Sequence, residues 1–244
     1  MASSPFETHW PKIKALAEAG KPEEIREFIA GFSEPKDRIG LFRFAARSLM
    51  FRDWENKDLG AIILLGDAGI KAALESGETD EANIICFNMS SNLADIWNDG
   101  FKRTREHFEL GLQYAERAID FRKRLMKGPG PFFMAYWAKG IHQYSLGHLP
   151  EARETFQQSL HCANEVAKAS DRPDKIDPNA PYEVLLANGY IALVDIALGR
   201  PQGQVTFDQV MSACEGMKKI SEDSKIEADI CIEQLQYVRK HQSV

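Results

Sequence analysis

Histidine and cysteine side chains offer the most reactive chemistry in this sequence, because they bind metals and act as bases or nucleophiles. His161 and Cys162 are adjacent, but neighbours on a helix point about 100° apart, so these two do not face one another. His161 and Glu165 share a helix face, yet two ligands do not define a metal site. The sequence holds no HExxH or paired ExxH motif, and no CxxC pair occurs among Cys86, Cys162, Cys214 and Cys231. We therefore predict no catalytic residue, no metal and no cofactor.

Two other local patterns, a glycine- and proline-rich run and a basic cluster, each have a structural explanation. The run Gly128-Pro129-Gly130-Pro131 does not cradle phosphate, because its prolines remove amide donors and no Gly-Lys-Ser/Thr follows. A basic cluster closes a predicted helix, where cations favour the helix dipole, and its members are Arg122, Lys123, Arg124 and Lys127. A contact of this cluster with an acidic partner or RNA is the alternative. The net charge of −6, from 30 basic and 36 acidic residues, argues against a nucleic-acid partner.

Composition places the chain among soluble globular proteins. Of its 244 residues, 44% are apolar and 27% are charged, which is enough apolar material for a sizeable core. The first ten residues contain no apolar stretch of signal-peptide length, so we expect no export. The longest apolar stretch, near Ala61–Leu65, is much shorter than a membrane span. We expect a cytoplasmic protein without membrane contact, and a single domain over residues 1–244.

Apolar residues recur every three or four positions along the chain, which is the spacing of one helix face. The clearest example is the series Leu149, Ala152, Phe156, Leu160, Ala163 and Ala167. No segment alternates at every second residue as a half-buried strand does. Glycine and proline separate the periodic segments, and such short connections favour antiparallel neighbours. The sequence predicts about five helix hairpins and a final helix: 7–19 with 22–32, 36–52 with 57–76, 80–98 with 102–126, 131–147 with 150–168, 181–199 with 203–219, and 222–241.

One hairpin, over residues 133–164, carries a recognisable pattern of small and aromatic residues. Gly140, Gly147, Ala152 and Phe156 follow one another at separations of 7, 5 and 4 residues. This pattern resembles the tetratricopeptide repeat, and the turns at Gly20 and Gly199 resemble its turn. The spacing of the later turn glycines exceeds the family period of about 34 residues, so the repeats are divergent and their helices long. The resemblance implies an all-α, right-handed α-solenoid closed by a C-terminal capping helix.

In such a solenoid the first helix of each hairpin lines the inner surface, so the resemblance implies a ligand groove. With Gly140 setting the register, the inward residues of the fourth hairpin are Met134, Trp137, Ile141 and Tyr144. With Gly100 as the equivalent turn glycine, those of the third are Phe87, Ser90, Ala94 and Trp97. This aromatic surface suits a peptide helix or another apolar partner. The alternative is that neighbouring helices bury the same side chains in the core.

Polar residues lie on the same predicted helices, namely Asn88, Asn92, Lys139, Gln143 and Asn188. Some tetratricopeptide proteins hold a partner's C-terminal carboxylate with lysine, asparagine and arginine on successive first helices. Trp137 occupies the matching position in the fourth hairpin, so this clamp is not predicted. Lys139 is either a ligand contact or a solvated charge at the rim. The predicted binding residues are Trp97, Met134, Trp137, Lys139, Tyr144 and Asn188.

The resemblance and the absence of reactive motifs together favour a non-catalytic module. Our first hypothesis is that the groove binds a protein or peptide, as in an adaptor or scaffold. The second is a ligand-sensing regulatory protein that binds a small molecule or short peptide in the same groove. The third is an all-helical enzyme whose site residues converge from distant helices, which leaves no local spacing to recognise. The sequence does not address the oligomeric state.

Overall fold

The computed structural model describes residues 5–241, and these residues form helices joined by turns, with no strand. A short 3-10 helix, Glu7–His9, precedes the α-helices. Their bounds are α1 Trp10–Glu18, α2 Pro22–Ala30, α3 Pro35–Phe51, α4 Leu59–Glu75, α5 Thr79–Leu93, α6 Arg105–Arg124, α7 Pro129–Ser145, α8 Leu149–Ala169, α9 Tyr182–Ala197, α10 Pro201–Met217 and α11 Glu222–His241. The all-α prediction is confirmed. The prediction of no export rests on the first ten residues, and residues 1–4 of these lie outside the described residues.

Spatial contacts divide the described chain into two compact units. The first comprises residues 5–93 and 100–102, and the second comprises residues 94–99 and 103–241. The predicted hairpins α1 with α2 and α3 with α4 pack within the first unit, and α7 with α8 and α9 with α10 within the second. The remaining predicted pair, 80–98 with 102–126, has its helices α5 and α6 in different units. None of the helices among residues 5–241 is both long and apolar enough to cross a bilayer.

The first unit is organised around α4, which packs against α2, α3 and α5. Gly69 of α4 faces both neighbouring helices, because a Cβ there would be 3.0 Å from Phe42 of α3 and 3.2 Å from Ile85 of α5. A second glycine, Gly66, leaves room for the Met89 side chain of α5. Small residues on α4 therefore bring α3 and α5 close to the same helix face.

The second unit places each of α7, α8 and α9 against the next helix, and α11 packs on α9 and α10. Gly140 allows α7 and α8 to approach closely, since a Cβ at this position would be 2.6 Å from the Phe156 ring. Phe156 also stacks on Tyr190 of α9, with ring centroids 4.9 Å apart. The roles predicted for Gly140 and Phe156, close approach and filling between hairpins, are confirmed.

Glycine ends several helices as the sequence predicts. Gly147 after α7 has φ +79° and Gly199 after α9 has φ +69°, in the left-handed region that glycine adopts at low cost. Pro150 and Pro201 then lie in the first turns of α8 and α10, where a missing N–H removes no hydrogen bond.

Helix α5 ends at Leu93, so the predicted helix over 80–98 is too long at its C-terminal end. The following segment is held by polar contacts within the second unit. The buried Arg103 guanidinium donates to both Asp99 carboxylate oxygens, at 2.9 and 2.6 Å, and the Tyr237 hydroxyl of α11 donates to Asp95 at 2.9 Å. Burial, together with Asp95, raises the pKa of Tyr237 to about 12, so this hydroxyl remains a donor at neutral pH.

A buried carboxylate joins three helices of the second unit. Asp195 of α9 accepts a hydrogen bond of 2.7 Å from Arg153 Nε of α8 and one of 2.9 Å from Arg200, which directly precedes α10. The Asp195 hydrogen bond is the largest cause of a raised pKa for Arg153. Because the carboxylate is mostly shielded from solvent, these bonds are worth more than exposed ion pairs.

We expect Gly203→Ala to destabilise the second unit by about 1–3 kcal/mol. A Cβ at this position would be 2.6 Å from the backbone nitrogen of Ile196, and a backbone atom cannot rotate away as a side chain does. Urea unfolding followed by circular dichroism measures the effect. Gly130→Ala is the control, because its Cβ would meet only Val166, at 3.9 Å. Equal midpoints for both variants would contradict the close approach of α9 and α10.

We also expect Asp195→Asn to lower the free energy of unfolding by about 1–3 kcal/mol, because it weakens charge-assisted hydrogen bonds to two arginines. The same urea titration gives the value. Asp208→Asn removes an exposed carboxylate that accepts a hydrogen bond from Gln204, and this change is expected to stay within about 0.5 kcal/mol of the parent. If Asp195→Asn unfolds with the same free energy as the parent, these ion pairs do not hold the three helices together.

Candidate functional site

A pocket of about 300 Å³ lies between α3 and α5 of the first unit. Its residues occupy one face of each helix: positions 43, 47 and 51 recur every four residues on α3, and positions 85, 88 and 92 every three or four on α5. The complete lining is Arg43, Ala46, Arg47, Phe51, Ile85, Asn88, Met89, Ser91 and Asn92. We call it the α3–α5 pocket.

Apolar side chains form part of the lining of the α3–α5 pocket. Ala46, Ile85 and Met89 are buried, and Met89 rests against Gly66 of α4. Phe51, the last residue of α3, lies at one end of the pocket and is 71% exposed. An aromatic ring left in solvent beside a pocket can contact an apolar ligand.

Polar groups complete the lining, and three of their side chains, those of Arg47, Asn88 and Ser91, have no partner among residues 5–241. The Arg47 guanidinium is exposed and forms no ion pair or hydrogen bond with the described residues, and the Asn88 side-chain amide forms no hydrogen bond with them. Arg43 differs, because its guanidinium lies 3.0 Å from the Glu81 carboxylate in the first turn of α5. No aspartate or glutamate lines the pocket, so its electrostatic potential is set by arginine.

The aromatic residues predicted on α7 are buried. Trp137 is 8% exposed and Tyr144 is 4% exposed, and Ile141 between them is also buried. The Trp137 ring packs edge-on against Tyr190 of α9, with centroids 6.5 Å apart. Burial raises the pKa of the Tyr144 hydroxyl. Their burial agrees with the alternative that neighbouring helices enclose these side chains in the core. They do not form an exposed groove.

The other predicted binding residues are dispersed. Met134 is 38% exposed on α7, and Lys139 on the same helix lies 3.0 Å from the Glu116 carboxylate of α6. The Asn188 amide donates 2.8 Å to the Val184 carbonyl of its own helix. Trp97 is half-buried in the segment after α5, not on a helix. The structure brings none of these four into the α3–α5 pocket, and their binding roles remain predictions.

The inward register predicted around α5 includes two residues that the structure buries. Ser90 and Ala94 were expected to line a groove, but both are fully buried, whereas Asn88, Ser91 and Asn92 line the pocket. The predicted register used Gly100 as the turn glycine, whereas α5 ends seven residues earlier, at Leu93. Asn88 and Asn92 were singled out as polar groups by the sequence, but Arg43 and Arg47 were not. Their spacing of four residues, continued by Phe51, was the available signal.

Shallower grooves occur elsewhere on the described surface. One of about 550 Å³ between α7 and α8 is lined by Phe132, Tyr136, Glu154, Gln157, Gln158, His161, Cys162 and Lys123 of α6. His161 and Glu165 are exposed and lie 3.7 Å apart, as the surface pair expected from their spacing. Within residues 5–241 no three histidine, cysteine or acidic side chains are grouped as metal ligands would be.

Comparison with known proteins adds no family to this geometry. No family model matches the sequence, and it matches neither a curated protein nor a solved structure. The resemblance to the tetratricopeptide repeat therefore stands on the residues of the α7–α8 hairpin, and the α3–α5 pocket has to be interpreted from its own chemistry.

Cys162 should react slowly with thiol reagents in the folded protein. Burial, with a smaller effect from Glu165, raises the pKa of its thiol to about 11, so roughly one molecule in a thousand carries the thiolate at pH 8. Labelling with Ellman's reagent should accelerate about tenfold for each pH unit between 8 and 10. Cys162→Ser identifies the signal, and protein unfolded in urea is the control. Rapid labelling of Cys162 at pH 8 in the folded state would contradict the burial of this thiol.

Proposed function

We propose that the protein is a non-catalytic binding protein and that the α3–α5 pocket holds its ligand. One observation carries the proposal: Arg47 and Asn88 line the pocket without partners among the described residues, beside the apolar side chains of Ile85 and Met89. Polar groups that are not needed for internal structure, next to apolar surface, are characteristic of ligand sites. Binding in this proposal requires no nucleophile, base or metal.

The size of the pocket favours a small ligand. Its volume of about 300 Å³ is at the lower limit for small-molecule sites. A stable protein interface buries about 800 Å² on each partner, so this pocket would form only a small part of one. The ligand-sensing hypothesis, with a small molecule or short peptide, therefore takes precedence over a large protein partner. The adaptor hypothesis remains the second candidate, and the exposed Phe51 ring favours it, because a partner segment lying along α3 would cover that ring.

Several finer features belong to the same proposal. The chain is taken as a divergent tetratricopeptide-like, right-handed solenoid that acts in the cytoplasm. Support comes from the close approach of α7 and α8 at Gly140 and from the glycine and proline turns at Gly147 and Gly199. The proposal includes neither a nucleic-acid nor a membrane partner, in keeping with the net charge of −6.

The proposal is tested by screening small metabolites and short peptides for compounds that raise the melting temperature, since a ligand of the folded state stabilises it by mass action. Ser91 lines the pocket and is half-buried, so Ser91→Trp places an indole in the pocket. We expect this variant to lose at least about tenfold in affinity for any compound that binds there.

Ser212→Trp is the matched control, because Ser212 is exposed on α10 of the second unit. It should bind every such compound with the affinity of the parent. Both variants need the circular dichroism spectrum and unfolding cooperativity of the parent before their affinities are compared. If compounds bind Ser91→Trp as tightly as the parent, the ligand site lies elsewhere and the assignment to the α3–α5 pocket is wrong.

A further inference from the structure

We infer that the ligand of the α3–α5 pocket is a small organic acid with one carboxylate on an apolar body. The inference rests on the proposed function and adds the chemical class of the ligand. Three features of the pocket carry it: an excess of one positive charge, donors suited to a planar anion, and apolar side chains beside them. Each feature follows from residues on the facing sides of α3 and α5.

The first feature is the charge. Arg43 and Arg47 both line the pocket, but Glu81 neutralises Arg43 through contacts of 3.0 and 3.4 Å to its two carboxylate oxygens. Arg47 has no acidic partner among residues 5–241, and the lining contains no carboxylate. One positive charge therefore remains, and an anion with a single negative charge balances it. A phosphate monoester carries about −1.5 to −2 at neutral pH, so it exceeds the available charge.

The second feature is the set of donors. A guanidinium presents N–H groups in a planar fork that matches the two oxygens of a carboxylate, and such charge-assisted bonds are stronger than neutral ones. The Asn88 amide supplies further N–H donors from the opposite helix, and no described residue occupies them. The ion pair with Glu81 holds the Arg43 guanidinium beside the pocket.

The third feature is the apolar surface next to these donors. Ile85 and Met89 line the pocket but are only 2% and 1% exposed, so the apolar surface open to a ligand comes mainly from Phe51. Phe51 extends the apolar surface into solvent at the end of α3. A hydrophilic anion such as inorganic phosphate or acetate would leave this surface exposed, whereas an acid with an aliphatic or aromatic body covers it.

The experiment uses a matched set of probes with the full-length protein. 3-Phenylpropionate and hexanoate are the acids, and 3-phenylpropanamide is the neutral counterpart of the first. Inorganic phosphate and the peptide acetyl-Gly-Gly-Phe test a different anion and a chain-terminal carboxylate. Binding is followed in two-dimensional NMR spectra by the shifts of the Asn88 side-chain amide and the Met89 methyl group. We expect both signals to shift with the acids, and the affinity to fall as salt is added.

Arg47→Gln tests the charge directly. Arg47 is exposed, so this change should leave the fold intact, and we expect it to weaken acid binding at least tenfold. Arg38→Gln is the matched control on the same helix, because Arg38 lines a different groove, between α2, α3 and α4. It should bind the acids as the parent does. Asn88→Ala should weaken them less than Arg47→Gln, since it removes a neutral donor.

The outcomes separate this inference from the proposed function. If 3-phenylpropanamide shifts Asn88 and Met89 as strongly as the acid does, the pocket binds ligands but the carboxylate inference is wrong. Equal acid affinity in Arg47→Gln and the parent has the same consequence. Binding of the peptide alone, or of inorganic phosphate alone, would overturn a small organic acid as the ligand. If no probe shifts either signal and the compound screen also fails at this pocket, both proposals fail together.

Discussion

The approach of neighbouring helices at glycine is the constraint on which the rest of this structure depends. In an all-helical chain the backbone hydrogen bonds lie within each helix, so contacts of side chains join one helix to the next. Gly140 admits the Phe156 ring, and Gly203 brings α10 within contact of the α9 backbone. A single methyl group at Gly203 would lie 2.6 Å from a backbone nitrogen, which shows how little freedom remains there. Interior packing of this density transmits a small change in one helix to its neighbours.

The same constraint produces the α3–α5 pocket. Gly69 of α4 lies beside both Phe42 of α3 and Ile85 of α5, so these two helices share one supporting helix. They have far less contact with each other than with α4, and the space between them is the pocket. A larger residue at position 69 would displace one of the two helices and change the shape of the pocket. The proposed ligand site is thus a consequence of packing around α4.

The exposed Arg47 of this pocket differs from the buried charges of the described molecule. Asp195, between its two arginines, and Arg103, on Asp99, are buried charges with partners of opposite charge. Separating such a pair would leave a buried charge without a partner and would destabilise the fold, so these pairs help to hold the elements that carry them together. Arg47 is exposed, so solvent accommodates its charge at little cost, and its guanidinium is available to a ligand. In the proposed function, the paired charges therefore hold the structure and Arg47 binds the ligand.

Apolar spacing and turn residues were sufficient to predict an all-α chain, most helix bounds to within a few residues, and the close approach at Gly140. These properties are local, because helix periodicity and the conformational freedom of glycine act over a few neighbouring positions. The end of α5 was not predictable in this way, since it depends on Asp95 and Asp99 meeting Arg103 and the distant Tyr237. The burial of Trp137 and the pairing of Arg43 with Glu81 depend likewise on which helices become neighbours in space. Only the tertiary structure decides which arginine is left without an acidic partner, because Arg43 and Glu81 are distant in sequence.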